Sequence, residues 1–600
     1  MNQITNDVMI KIATVNGSGS QTANQILMKC LFKMNIPVGS KNYFPSNIQG
    51  MPTWFTVRAN SKGFIGAKEK CDILINYNAK TLPEDLKSLQ AHGVLFYDLE
   101  SPLPEGTNLS EFTSFAIPFK TLLDGLDIPT KYRKPTSNIL YVGVVSAYLN
   151  IPEEILWQTL EQHFGKKETA LELNKKTALC GRNYYLDNFA SAQPLFKVKA
   201  LPATGEKVLM DGNSASAMGL LYGGCSFVSW YPITPSTSVI ESYKDLVTKY
   251  RSLNADQSPR QVILQAEDEL SAICMVLGAG WAGARSLTAT SGPGLSLMAE
   301  AAGYAYYAEI PSVIWNVQRT GPSTGLPTRT SQGDITFAHF LSHGDTKHVC
   351  LFPGTLQECF EFGQTCFDLA ERLQTLVVVL SDLDLGMNLW VEDKWSYPTR
   401  PYDRGKIVTR EALENGFKFA RYKDSDGDGI PYRTLPGTAH REAPYFTRGS
   451  GHNVNAAYTE NPSDYQEVTD RLNKKWESAR TYVPAPLITN NSSSMGLLYY
   501  GALDSVILEM QDSLKDFTVL NTCRVRALPF SKEVKDFIEQ NSKVFVVDQN
   551  RDGQMLQLLA IEYPELAFKL VSLRYHNGLP VNADNLRKDF VNAAPESNKK

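Results

Sequence analysis

No two cysteines of this chain stand in a Cys-x-x-Cys spacing; the nine present are scattered at positions 30, 71, 180, 225, 274, 350, 359, 366 and 523. That leaves no ligand run for an iron–sulfur cluster. An odd, widely spaced set fits reduced thiols acting as small buried hydrophobes. Long apolar runs are missing too. The longest uncharged stretch, residues 212–240, is broken by Gly, Ser, Thr and two prolines, so no membrane span is expected. Met1-Asn-Gln-Ile-Thr-Asn-Asp7 lacks the basic segment of a secretory signal, which points to the cytoplasm. Excess charge of either sign is also absent: 59 basic against 63 acidic residues, net −4, give no electrostatic reason for nucleic acid or an anionic membrane as partner.

What is present is strand–turn–helix alternation over 600 residues, more than one core serves, so about three or four α/β domains are expected. The stretch around which the rest is organised is Tyr231-Pro-Ile-Thr-Pro-Ser-Thr237, which follows the apolar Phe227-Val-Ser-Trp230. Its two prolines forbid helix and central ladder positions. The backbone must turn sharply at a strand end, where open α/β sheets place ligands, and the Thr234 hydroxyl is held on that turn. Glu267-Asp-Glu269 stands between a strand at 261–265 and an Ala/Gly-rich helix at 270–280. Acids there suit a solvated helix start, and one of them in a dry pocket would suit proton transfer. In Thr288-Ala-Thr-Ser-Gly-Pro-Gly294 the glycines let backbone approach closely. Arg319 ends the apolar strand at 312–317 and would face the same crevice as Thr234, whereas Arg329 reads as ordering the loop 321–330.

Near the N-terminus, Met9-Ile-Lys-Ile-Ala-Thr-Val15 alternates like a strand, and Asn16-Gly-Ser-Gly-Ser-Gln21 opens a helix over about 22–32. Gly17 and Gly19 would form an anion cradle at that helix start. Thr22 occupies the place of a dinucleotide fingerprint's third glycine, so a plain β–α turn and a ligand site both remain open. Strands are expected at 72–76 and 93–97, and a helix over 152–165. His163 on that helix reads as a surface or packing residue. Residues 396–482 are polar, with little periodicity, and look like a connecting extension. Within them Asp424-Ser-Asp-Gly-Asp-Gly429 imitates a calcium loop, but Leu435 stands where a bidentate Glu is needed, so a tight polar turn is expected. After Pro484, strands near 517–520, 544–548 and 569–573 alternate with helices starting near Ser531 and Gly553, as in a parallel sheet. Asn490-Asn-Ser-Ser-Ser-Met-Gly-Leu-Leu-Tyr499 echoes residues 213–222 in step, which suggests either a duplicated α/β layout or a chance similarity of two strand–turn–helix segments.

Residues 231–237, together with Glu267-Asp-Glu-Leu-Ser-Ala272, Thr288-Ala-Thr-Ser-Gly-Pro-Gly294 and Gln318-Arg-Thr-Gly-Pro-Ser-Thr-Gly-Leu-Pro-Thr-Arg329, resemble the α subunit of 2-oxoacid:ferredoxin oxidoreductases. The N-terminal segment resembles the γ domain of the same enzymes, fused ahead of α. The resemblance covers nearly the whole chain. It implies an α/β fold: a γ-type domain (1–199), then two transketolase-like parallel-sheet domains, one binding the thiamine diphosphate pyrimidine (200–395) and one C-terminal (484–600), joined by the extension (396–483). The implied reaction is coenzyme A-dependent oxidative decarboxylation of a 2-oxo acid to acyl-CoA, CO2 and reduced ferredoxin, with 2-oxoglutarate placed first and pyruvate or branched-chain acids second. A non-catalytic assembly role is the rival reading. The resemblance assigns Glu269 to the pyrimidine N1′, Thr234 and Arg319 to the 2-oxo acid, and Tyr231, Pro232, Ile233, Ser291 and Gly292, with Gly17 and Gly19, to cofactor binding. No metal ligand is assigned to this chain. Mg2+, the diphosphate and a [4Fe–4S] cluster would belong to a separate β subunit in an (αβ)2 assembly that reduces ferredoxin. The γ segment Tyr43-Phe-Pro-Ser-Asn-Ile-Gln-Gly50 departs from the family at Gln49 and Met51, where Arg and Gly are usual.

Overall fold

The computed structural model describes residues 3–45, 50–191, 193–251, 260–515 and 518–594. Gln49 and Phe517 lie outside these. Three sheets carry the fold. The first has six strands in the spatial order Val38–Tyr43, Pro52–Asn60, Asp7–Val15, Cys71–Asn76, Leu89–Asp98 and Thr113–Ile117. Pro52–Asn60 runs antiparallel to both of its neighbours, and the remaining pairings are parallel. Its helices include Ser20–Lys33, Ile139–Tyr148, Glu153–Phe164 and Glu168–Phe189. Ile139–Tyr148 and Glu168–Phe189 meet backbone to backbone, since a Cβ on Gly143 would lie 2.1 Å from the Ala178 carbonyl oxygen and one on Gly181 2.2 Å from that of Leu140. Ile4–Thr5 pairs with Phe196–Lys197, so the chain returns to its own start before moving on.

The second sheet has seven strands: Val262–Gln265, Phe227–Trp230, Ser286–Thr290, Ser312–Gln318, Leu376–Asp382, Val349–Leu351 and Ala527–Leu528. All pairings are parallel except the last. Ser312–Gln318 and Leu376–Asp382 are buried throughout, as a parallel sheet covered on both faces requires. Ala527–Leu528 comes from the third unit, which thereby completes the edge of the second. That third unit has five strands: Leu487–Thr489, Asn521–Val525, Met495–Tyr500, Lys543–Asp548 and Leu570–Arg574, parallel except for the first. The strand expected near 517–520 begins instead at Asn521.

The echo between 213–222 and 490–499 is not a structural repeat. Met-Gly-Leu-Leu-Tyr is helix at 218–222, within Gly212–Tyr222, and strand at 495–499, within Met495–Tyr500. The helical copy is capped by Asp211, which accepts from Ser214 N, and packs on Leu356–Leu373 so closely that a Cβ at Gly219 would lie 2.2 Å from the Phe360 carbonyl. The other copy is wedged, fully buried, between two parallel neighbours.

The extension is less irregular than its composition predicts. It contains Arg410–Glu414 and an 18-residue helix, Pro462–Ala479, started by an Asn461 cap and Pro462. That helix is tied to the second unit by Glu309, which takes Arg471 at 2.6 Å and Lys475 at 2.7 Å. The Asp424–Gly429 segment is a polar turn: Gly427 N donates to Asp424, Ile430 N to Asp428, while Lys474 pairs with Asp424 and Lys406 with Asp426 and Asp428. Lysines stand where a cation would have to sit. Seven of the nine cysteines are buried, as small hydrophobes would be, and burial pushes the Cys30, Cys71 and Cys225 thiols up to about 12. Among the described residues, no helix is long and apolar enough to cross a membrane.

Candidate active site

The carboxyl ends of four adjacent parallel strands in the second sheet bring the sequence motifs together. Phe227–Trp230 leads into the 231–237 turn, which winds onto the Ile233 carbonyl: Ser236 N (2.9 Å), Ser236 Oγ (3.0 Å) and Thr237 N (3.1 Å) all donate to it. Asn213 Nδ2 holds the Pro235 carbonyl at 2.9 Å. Tyr231 and Pro232 are exposed, and Ile233 and Thr234 are half-buried.

Arg319, directly after Ser312–Gln318, is buried and donates from Nη1 to the Thr234 carbonyl at 2.7 Å. The pair is therefore adjacent, as expected, but joined through the backbone of Thr234 rather than through two side chains converging on open space. Arg319 Nε is buried and has no hydrogen-bond partner among the described residues. Burial pulls the guanidinium below its usual range, opposed by the charge of Asp334.

Glu269 opens the helix Glu269–Trp281 and is buried, 7 % exposed, whereas Glu267 is exposed and Asp268 is the helix cap, accepting from Ser271 N at 2.7 Å. Of the three carboxylates, one has therefore been drawn inward. It lies against the 288–294 turn: a Cβ on Gly294 would fall 2.7 Å from Glu269 Oε1 and 2.1 Å from Thr290 Oγ1, so glycine there makes room for the acid. Ser291 stands at the N-terminal cap position of Gly292–Leu297 without capping it, and its buried hydroxyl has no partner among the described residues. Thr288 Oγ1 and Asn316 Oδ1 are likewise buried and unpartnered among the described residues. Orphaned polar atoms beside a buried acid are what a polar heterocycle would satisfy on binding.

Sequence reasoning missed Asp334. It is half-buried, accepts from Asn316 Nδ2 at 2.9 Å, donates its own N–H to Gln318 Oε1 at 3.0 Å, and faces Gly292, where a Cβ would lie 3.2 Å from Oδ2. Burial pushes its carboxyl above the usual carboxylate range, against the Asn316 hydrogen bond and the Arg319 charge. A single acid in an aperiodic loop has no signature; only its closeness in sequence to Arg319 hinted at it.

Arg329 takes the ordering role expected of it. It donates to the Thr328 and Phe44 carbonyls, at 2.9 and 3.3 Å, and Thr328 Oγ1 donates to Phe44 O at 2.6 Å, docking the loop on the N-terminal sheet. A buried Lys41–Asp384 pair at 2.6 Å reinforces that junction. Gly17 and Gly19 both have positive φ, and Gly19 starts Ser20–Lys33 without a side-chain cap. Strand pairing sets Val15 opposite Pro52 and Tyr43 opposite Trp54, so the glycine turn lies at the same end of its sheet as Phe44.

Residues 218–416 match the family described as pyruvate flavodoxin/ferredoxin oxidoreductase, thiamine diP-binding, and residues 9–184 match pyruvate ferredoxin/flavodoxin oxidoreductase. The chain is 28 % identical to the α subunit of 2-oxoacid:ferredoxin oxidoreductase 1 from Sulfurisphaera tokodaii, over 98 % of each chain. It is 34 % identical to 2-oxoglutarate synthase subunit KorA from Methanothermobacter thermautotrophicus, over 58 % of this chain and 89 % of that protein. A solved 2-oxoglutarate:ferredoxin oxidoreductase from Magnetococcus marinus, with 2-oxoglutarate, coenzyme A and succinyl-CoA bound, superposes with a TM-score of 0.86 at 25 % identity, covering 97 % of this chain and 99 % of that one. With its motif residues gathered at one sheet end and a γ-type domain fused in front, the chain belongs to the 2-oxoacid:ferredoxin oxidoreductase α-subunit family.

Proposed function

We propose that this chain, as a fused γ–α subunit, acts on 2-oxoglutarate in the family's reaction: the acid loses CO2, its acyl group passes to the coenzyme A sulfur, and the electron pair leaves to ferredoxin. Support for 2-oxoglutarate over pyruvate or branched-chain acids comes from the KorA relative and from the ligands of the Magnetococcus structure. The observation that carries the reading is the convergence of buried Glu269 and the Arg319–Thr234 bond at the ends of neighbouring strands.

Thiamine diphosphate, when bound, supplies the carbon nucleophile and electron sink. Glu269 would hold the proton shared with pyrimidine N1′, and the glycine at 294 gives that carboxyl its room. Tyr231, Pro232, Ile233, Ser291 and Gly292 would wall the ring. Arg319, with Nη1 already committed to Thr234, offers its Nε edge to the substrate carboxylate, and the Thr234 hydroxyl would donate to the keto oxygen. Gly17 and Gly19 would take an anionic group of coenzyme A at the helix start, at the sheet end that docks on the Arg329 loop. The divisions at about 199, 395 and 483 separate these tasks.

A β subunit carrying Mg2+, the diphosphate site and a [4Fe–4S] cluster would complete the enzyme, as (αβ)2. The strand Val262–Gln265 is an edge of its sheet among the described residues, Val262 and Leu264 on it are each 44 % exposed, and Leu270 and Met275 on the helix that follows it are exposed as well. An apolar open edge of this kind marks a surface that a partner covers. Reconstitution tests the whole reading. The chain with its β subunit, thiamine diphosphate, Mg2+ and coenzyme A should reduce viologen with 2-oxoglutarate faster than with pyruvate or 2-oxoisovalerate. A reversed order would transfer the assignment to the other acids, and no reduction with any of them would favour the assembly role.

A further inference from the structure

In the C-terminal sheet, Met495–Tyr500 is followed in sequence by Asn521–Val525 on one side and then by Lys543–Asp548 on the other. Strand order therefore reverses between Met495–Tyr500 and Lys543–Asp548, and the carboxyl ends at such a reversal form the crevice where open α/β sheets bind their ligands. Here the crevice is filled by the protein itself. Residues 331–336 of the central domain lie in it: Gln332 N donates to Gln549 O at 2.9 Å, Asn550 Nδ2 donates to Gln332 O at 3.0 Å, and Ser331 Oγ donates to Gln549 O at 3.2 Å. A Cβ on Gly501 would lie 2.1 Å from Gln332 Nε2, so the glutamine fills the space a side chain at 501 would need. Gln554 grips further along, donating to Gly333 O at 2.6 Å and accepting from Thr336 N at 3.0 Å.

Asp334 sits between the two contacts of Gln554. The turn is thus held on both sides of Asp334, whose carboxylate takes Asn316 and faces Gly292 and whose N–H bonds Gln318, the residue before Arg319, by a domain that contributes no proposed substrate or cofactor contact of its own. We propose that the C-terminal domain is a positioning device for the 2-oxo acid site, in which Gln554 and Asn550 clamp the 331–336 turn so that Asp334 stands as the counter-charge that orients Arg319. This rests on the reading of Arg319 as the substrate-carboxylate group. Asp334 and Gln554 are positioning residues: one acts through Arg319, the other through Asp334.

The test uses the reconstituted complex and four variants, with a fifth in reserve. Asp334→Asn keeps the shape and an acceptor for Asn316 but removes the half-buried counter-charge of Arg319, so KM for 2-oxoglutarate should rise about tenfold or more, the scale of a misplaced binding group, with kcat held within about twofold. A residue kept only for stability would lower Tm instead. Gln554→Ala should raise KM by roughly threefold to tenfold with kcat held within about twofold, and amide hydrogen exchange across 331–337 should speed up. Because Gln554 works through Asp334, the double variant should be no worse than Asp334→Asn alone. If Gln554→Ala fails to assemble, Gln554→Glu, which keeps the acceptor for Thr336 and loses the donor to Gly333, is measured in its place. Full additivity, or an unchanged KM in both single variants while Arg319→Ala is impaired, overturns the proposal and leaves the Arg319 reading intact. An inert Arg319→Ala overturns both.

Discussion

Replacing the Glu269 carboxyl by its amide alters the ability to hold a proton and little else, because the side chain keeps its length and its place against Gly294. Glu269→Gln should therefore fold with an unchanged Tm, yet turn over more slowly by roughly two to four decades, the usual worth of a placed acid or base. Turnover within about twofold of the parent would move the role to Glu267, which is exposed and would then have to swing inward. Arg319→Ala should lower kcat/KM for 2-oxoglutarate by about tenfold or more, since one charge-assisted bond is worth about 1.5–3 kcal/mol. Thr234→Ala should also lower it, but by less, because Arg319 binds the carbonyl of residue 234 and keeps that contact in alanine. Equal kinetics for both variants and the parent would remove these two residues from the site.

Among the elements, Pro462–Ala479 depends most plainly on charge. Burial works against the ionised form of Glu309, but the charges of Arg471 and Lys475 outweigh it and hold its pKa down at about 2. A carboxyl lowered on folding contributes stability that is complete above its unfolded value of 4.5 and is lost as pH falls through that value toward about 2. Melting curves should accordingly show Tm falling over that window, with the extension helix released. In Glu309→Gln the helix should already be weakened at neutral pH, by about 3–5 kcal/mol, because Arg471 and Lys475 would be left buried without their anion. The part of the acid response that belongs to Glu309 should then be gone. An identical slope of Tm against pH in parent and variant would show that another group controls acid sensitivity.

At the scale of the whole molecule, three sheets meet at one loop. Residues 328–336 touch the N-terminal sheet through Phe44, the second sheet through Asp382, where Gln332 Nε2 donates at 2.9 Å, and the third through Gln549 and Asn550. The exposed edge at Val262–Gln265 lies on the opposite side of the second sheet from Ala527–Leu528, so among the described residues the chain closes one edge itself and leaves the other open. A β subunit covering that side should bury an interface above ~2,000 Å2, at the obligate end of the range. Purified alone, the chain should be colourless and inactive with any 2-oxo acid, and addition of the β subunit with thiamine diphosphate and Mg2+ should restore viologen reduction. Iron and acid-labile sulfide in the isolated chain, or unaided oxidation of 2-oxoglutarate, would contradict this division of labour.

Much of this protein is written locally. Two prolines around Thr234 force a turn wherever they stand, a Pro at the start and acids in the first turn mark Glu153–Phe164, and alternating apolar runs mark the buried strands, so the α/β class and the main motif residues are legible without coordinates. Local signals fail where neighbours decide. Met-Gly-Leu-Leu-Tyr is helix at 218 and strand at 495, because the first copy follows an Asp cap and packs on a helix while the second completes a ladder between two strands. Residues 396–482 looked aperiodic, yet Pro462–Ala479 forms around ion pairs with Glu309, more than 150 positions away. Which of three adjacent acids turns inward, and that Asp334 is held against Gln318, next to Arg319, by a turn clamped from the C-terminal domain, are likewise decided by contacts between elements far apart in the chain, and those exist only once the three sheets have come together.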